Sequence, residues 1–150
     1  MKALAVRARR TPALLMVAMS TLGMALPGAR QEPEAIEVTI DIKPGDEPTV
    51  MDPSSEGMIP VAILSSPDFD ATSVDPGSVR FGANGDDAAP VRTMTEDIDQ
   101  DGDTDLMFLF RAPQTNIACG DTSASLTGKT RSGQAIAGSE SFITEGCRST

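Results

Sequence analysis

The chain has 150 residues and a formal charge of −10, with 22 Asp and Glu against 12 Lys and Arg, five Phe, and no His, Trp or Tyr. That length suits one domain, and an acidic surface repels nucleic acid and anionic lipid while attracting cations. The lack of His excludes His-based nucleophile relays and His metal sites, and without Trp or Tyr the usual ring-stacking sugar platform is missing.

In chain order, Lys2, Arg7, Arg9 and Arg10 form a positive leader, followed by the uncharged apolar run Thr11–Ala29. The run is too short, and too soon followed by polar sequence, for a membrane anchor. It reads as a secretory signal peptide over 1–29. Cleavage falls between 25 and 30: Gly23 and Ala25 offer a small-x-small site, and Ala29 ends the run but has Pro27 at its −3 position. Arg9-Arg10 alone is a bare twin-arginine pair. Residues 30–34 read as a short linker, and 35–150 as the module itself. Past residue 30, seven basic residues face all 22 acidic ones, a formal −15.

Ala35–Lys43 alternates, with Ile36, Val38, Ile40 and Ile42 on one side and Glu37, Thr39, Asp41 and Lys43 on the other. That is the period of a half-buried strand, and Pro44-Gly45 ends it in a turn. Met58–Leu64 is a continuous apolar run suited to a central strand, with Pro60 near its start or at an unpaired position. Ser78–Gly82 and Ala89–Met94 read as two short strands around the Gly85-Asp86-Asp87 turn. An aspartate-rich loop, the apolar "LMFLFR", and the alternating "TSASLTG" and "GQAIAGSESFIT" complete the series. No segment keeps apolar residues at helical spacing over three turns. Some seven short strands with regular turn signals predict an all-β fold, an antiparallel β-sandwich of immunoglobulin-like or similar type.

The loop is the chemically informative stretch. Asp97, Asp99, Asp101, Asp103 and Asp105 fall on alternate residues, with Gly102 among them, and no Lys or Arg lies between Arg92 and Arg111. Five carboxylates so close repel one another unless a cation sits among them. Calcium takes six to eight hard oxygens from a loop that folds round it, and glycine permits the sharp turn. Calcium is favoured over zinc or copper because every donor is oxygen, and over magnesium because magnesium keeps its waters. The expected metal residues are therefore Asp97, Asp99, Asp101, Asp103 (through its carbonyl) and Asp105. Position 12 of the loop is Phe108 rather than a bidentate Glu, and no helix precedes it, so this is no EF-hand. Asp68, Asp70 and Asp75, and separately Asp86 with Asp87, read better as turn formers than as a second site.

Cys119 and Cys147 both lie in the exported part, where paired thiols oxidise, and are expected to form a disulfide. Closing that loop stabilises by about 3–4 kcal/mol in the chain-entropy view.

"DIKPG" (Asp41–Gly45), "IPVAIL" (Ile59–Leu64), "FDATSVDPGSVRFG" (Phe69–Gly82), the Asp97–Asp105 loop and "GDTSASLTGKT" (Gly120–Thr130) together resemble a module of exported bacterial and archaeal proteins. The resemblance runs from about Ile40 to Ser141, and the module has no settled activity. It implies an extracellular location. Where that family often has glycine before the isoleucine of "NIACGDT", Asn116 stands here to supply the left-handed turn. The loop itself is similar to the calcium loops of integrin-type propellers. That likeness implies that Asp105 supplies the late carboxylate, and that Ile98 and Leu106 anchor the loop's ends.

No catalytic constellation emerges. "LTGKT" (Leu126–Thr130) ends like a phosphate loop, but Ser123 replaces its first glycine. The expectation is a secreted, periplasmic or cell-surface, calcium-stabilised structural or adhesive module, non-catalytic and not inserted in a membrane. The alternative is a calcium-dependent domain that binds a glycan or an extracellular protein, with a hydrolase a distant third.

Overall fold

A computed structural model describes residues 34–147. The signal-peptide reading, the linker up to Pro33 and the last three residues lie outside them. The described chain is all-β. Its strands are β1 (Ile36–Glu37), β2 (Thr39–Ile42), β3 (Val50–Met51), β4 (Met58–Leu64), β5 (Arg80–Gly82), β6 (Arg92–Glu96), β7 (Asp105–Arg111), β8 (Ser123–Lys129), β9 (Ala135–Ser141) and β10 (Ile143–Thr144). Three short 3-10 turns, Ala71–Ser73, Pro76–Ser78 and Ala112–Thr115, complete the regular structure.

Two four-stranded sheets form, ordered β1-β9-β8-β5 and β2-β4-β7-β6, beside a small β10-β3 pair. Neighbours pair antiparallel except β1 with β9 and β10 with β3, which run parallel. The strand expected over 35–43 is split at Val38. Its first part joins β9 and its second joins β4, so one extended segment serves both sheets. Val38 donates its backbone N–H to Ala137 at 2.9 Å on the way across. Alternation continues through the switch: Val38, Ile40 and Ile42 are buried.

The two sheets share one apolar cluster. Val38, Ile40, Ile42, Val61, Ile63, Leu106, Phe108 and Phe110 meet Phe81, Ala124, Leu126 and Ile136 from the other sheet. Phe81 and Phe110 stack across at 5.1 Å between ring centres, and Phe108 lies 6.1 Å from Phe110. With no larger aromatic in the chain, these three rings bring the largest apolar area into the centre.

Pro60 sits within central strand β4 without breaking it. Its carbonyl accepts from Lys43 N–H at 2.7 Å, so its missing N–H falls on the same edge, where β2 has just ended. The Lys43 carbonyl that this N–H would have served accepts instead from Asp46 at 3.0 Å, closing the turn. Asn116 adopts the left-handed conformation, φ 59° and ψ 20°, as its place before Ile117 predicts. The strand expected over 89–94 begins later, at Arg92, because Ala88 is held by Phe81 in an isolated bridge. Cys119 and Cys147 are disulfide-bonded, with Cα atoms 5.9 Å apart. The bond ties the segment before β8 to the end of the described chain, beside the β3-β10 pair.

The crossing at Val38 needs a partner without a side chain. A Cβ on Gly138 would lie 2.6 Å from the Val38 carbonyl oxygen and 3.0 Å from Ile40 Cγ2. Backbone cannot retreat as a flexible side-chain tip can, so Gly138→Ala is expected to cost about 1–3 kcal/mol. The measurement is the urea midpoint at unchanged m-value. Gly77→Ala, where the nearest atom is 3.6 Å away, is the control that leaves it in place.

Candidate metal centre

The aspartate loop is the connection of a hairpin. β6 and β7 pair up to Glu96 opposite Asp105, and residues 97–104 turn between them. Two residues inside the turn have left-handed backbones, Gln100 at φ 61° and Gly102 at φ 96°. Nothing lies within 4 Å of a Cβ built on Gly102, so it is the backbone conformation and not space that calls for glycine there.

The loop carboxylates point inward and gather its amides. Asp97 accepts from Asp101 N–H at 3.1 Å and from Gly102 N–H at 2.9 Å. Asp99 accepts from Asp101 N–H at 3.3 Å. The Asp101 carboxylate accepts from Asp103 N–H at 2.9 Å. Asp97, Asp99 and Asp105 each bring one carboxylate oxygen within 4.8 Å of the others; this is the one such acidic group among the described residues. Asp101 and Asp103 stand outside it.

Asp105 differs from its neighbours in kind. Strand alternation sets it on the face opposite Leu106, Phe108 and Phe110, yet it is fully buried. One oxygen accepts from Ser65 N–H and the other from Ile98 N–H, both at 2.7 Å. Ser65 is itself fixed: its hydroxyl donates to the Thr104 carbonyl at 2.7 Å and accepts from Ala71 N–H at 2.8 Å. The end of β4, both ends of the loop and the first 3-10 turn thus converge on one carboxylate. Leu106 is anchored in the core, whereas Ile98 is half-buried and outside the core cluster.

The electrostatics match a cation's needs. Asp99 sits above the ordinary carboxylate range through partial loss of water. The Asp101 side chain and the Asp101 and Asp105 charges add to that rise, and the Asp101 N–H opposes it. Among the described residues the one ion pair is Lys43–Asp46, so no protein cation neutralises the group. Its donors are hard carboxylate oxygens, which suit a hard cation better than a soft or nitrogen-seeking metal.

Of the remaining acidic candidates, Asp70, Asp75 and Asp87 are turn formers, while Asp68 and Asp86 stand outside the close carboxylate group. Asp70 accepts from the Thr72 hydroxyl and N–H at 2.6 and 2.9 Å, and Asp75 accepts from Gly77 N–H at 3.1 Å. Asp87 accepts from the side chains of Asn84 and Asn116, at 3.0 and 2.8 Å, and from the Asn84 and Gly85 amides. Its burial works to raise its pKa, but these four hydrogen bonds outweigh it and hold the carboxyl below the usual range. A further acidic group was not singled out by spacing: Asp41, Glu47 and Glu140 line one cavity of about 470 Å³. Burial lifts both Asp41 and Glu140, and the other carboxylates there add to it. The Ile42 N–H, bonded to Glu140 at 2.8 Å, works the other way.

Comparison with protein families, curated proteins and solved structures finds no match. A cavity of about 590 Å³ adjoins the loop, lined by Gly102, Asp103 and Thr104 on one side and Ser66, Phe69 and Thr72 on the other.

Because Asp105 satisfies two amides at once, Asp105→Asn turns an NH₂ toward one of them and leaves a buried donor unpaired. The expected loss is about 2–3 kcal/mol of unfolding free energy without any metal present. Asp103→Ala, an exposed residue whose side chain accepts no hydrogen bond, is expected to stay within about 0.5 kcal/mol. Chemical denaturation in chelator compares the two directly.

Proposed function

We propose that the chain is an exported, non-catalytic structural or adhesive module whose 97–105 loop takes up a calcium ion. One observation carries this reading: three carboxylate oxygens, from Asp97, Asp99 and Asp105, lie within 4.8 Å of one another, and no Lys or Arg among the described residues pairs with them. Asp97, Asp99 and Asp105 would hold the ion, with Asp101 and the Asp103 carbonyl as further donors from the same loop. Calcium would supply positive charge and nothing more, removing the repulsion within the group.

The surrounding structure supports a fold-stabilising role. A small core with few aromatic residues gains from added staples, and the Cys119–Cys147 disulfide is one already present. The disulfide, the leader-like first 29 residues and the resemblance to exported modules all support an oxidising, extracytoplasmic location. Among the described residues no helix is long and apolar enough to cross a membrane.

A second reading, a calcium-dependent binding domain, is favoured by the cavity beside the loop. There Asp103 and Thr104 would present a ligand next to the ion.

Thermal unfolding of the full chain with excess calcium and with chelator tests the first reading. At calcium about 100-fold above its dissociation constant, the folded state gains about 2.7 kcal/mol, an upward shift on the order of 10 °C. Equal midpoints in calcium and chelator would remove calcium from the proposal. Glycan binding that appears in calcium and vanishes with chelator, at a temperature where both forms are folded, would favour the second reading.

A further inference from the structure

The chain's positive charge is unevenly placed. Of five surface cavities among the described residues, four are lined by at least one carboxylate. The fifth, of about 370 Å³, has no acidic residue in its lining and contains two arginines, Arg80 and Arg92. Only six basic residues fall within 34–147, against 21 acidic ones. A third of the positive charge therefore converges on one open cleft. Neither arginine has a carboxylate within 4.0 Å, the Lys43–Asp46 pair being the one ion pair among the described residues. Arg80 is held in place by donating to the Gly77 and Val79 carbonyls at 3.1 and 2.7 Å. Those bonds leave most of its five donors free.

The cleft lies between the edges of the two sheets. Arg80 belongs to β5 and Arg92 and Thr93 to β6, and each strand is the last in its sheet. β5 is occupied on its outer side where Phe81 and Ala88 exchange hydrogen bonds at 3.0 and 2.9 Å. β6 pairs with β7 on one side, and no strand covers the other among the described residues. At its start Val91 is 46 % exposed, one of three large apolar side chains so exposed among the described residues. Pro76 and Pro90 add apolar walls.

We propose that this cleft docks an extended acidic peptide segment of a partner protein, which adds a strand to the free edge of β6. Arg80 and Arg92 clasp its carboxylates and Val91 covers an apolar residue. Backbone pairing supplies affinity and the alternate side-chain contacts supply selectivity. Guanidinium forks suit carboxylates bidentately. The −15 charge beyond residue 30 repels acidic partners everywhere else, so the cleft also sets where such a partner lands. The open strand edge favours a peptide over an anionic glycan, which has no backbone amides to pair. The proposal needs no cation in the aspartate loop, which begins where β6 ends at Glu96.

The test uses the full chain, isotope-labelled for amide NMR. The probe is a capped pentapeptide pool with Glu at alternate positions between Val, Ile and Thr, compared with the matching Gln pool and with oligogalacturonate. The expected result is saturable shifts at residues 91–96 with the Glu pool, with binding about tenfold weaker in Arg92→Glu. Affinity should also fall as salt rises from about 0.05 to about 0.3 M. Arg111→Glu, a charge reversal on an exposed arginine outside the cleft, should leave binding unchanged. No saturable shift up to about 1 mM peptide, equal binding of the Gln pool, or an unaffected Arg92→Glu would overturn the proposal. Tighter binding of oligogalacturonate than of peptide at the same residues would also overturn it, assigning the cleft to an anionic sugar.

Discussion

A carboxylate cannot be taken from water without replacing its hydration, and Asp105 is completely buried. The structure meets that demand with the amides of Ser65 and Ile98. Meeting it fixes much else. Ser65 ends the central strand β4, so its amide sets where that strand stops. Ile98 opens the aspartate loop, so its amide sets where the loop begins. The Ser65 hydroxyl then joins Thr104 and Ala71 to the same point. Within that hairpin the Asp101 and Gly102 amides hold the Asp97 carboxylate and the Asp101 amide holds that of Asp99, and their oxygens come close to that of Asp105. The acidic group thus combines one buried, amide-bonded carboxylate with two exposed ones held by the loop's own amides, and the proposed calcium ion would relieve the charge that this arrangement concentrates.

Local pattern revealed most of the strands because each face alternates with the polypeptide's own period. The Ala35–Lys43 alternation correctly marked Val38, Ile40 and Ile42 as buried. It could not reveal that the segment leaves one sheet for the other at Val38, since both halves keep the same parity. That switch depends on Gly138, about a hundred residues away, offering a surface without a Cβ. The loop was legible because its spacing is local, with glycine at the left-handed position. The roles of its residues were less so. Asp101 and Asp103 share the spacing of their neighbours but stand outside the close group; the Asp101 carboxylate accepts from the Asp103 amide, and the Asp103 side chain is exposed. Ser65 carried no signal at all, because its contact with Asp105 spans forty residues. Asp87 looked like any turn aspartate until Asn116, brought beside it by the turn that follows β7, supplied a fourth hydrogen bond.

Charge organises the surface in a similar way. Most carboxylates are solvated or bound to local amides, which is how a strongly acidic chain folds without matching cations. Two places depart from this. At the loop, carboxylates crowd and no Lys or Arg among the described residues pairs with them; at the β5-β6 edge, arginines gather and no Asp or Glu among the described residues pairs with them. Opposite deficits at separate places underlie the two proposals, a small cation at the loop and an acidic partner at the sheet edge.

The central claim is that one cation belongs among Asp97, Asp99 and Asp105. Calorimetric titration of calcium into the chelator-stripped chain, and into an Asp97→Ala/Asp99→Ala variant that keeps Asp105 and its two amides, tests it most directly. A single saturable site in the parent chain, absent from a variant that still unfolds cooperatively, is the predicted result. No binding heat in the parent, or the same site retained in the variant, would contradict it.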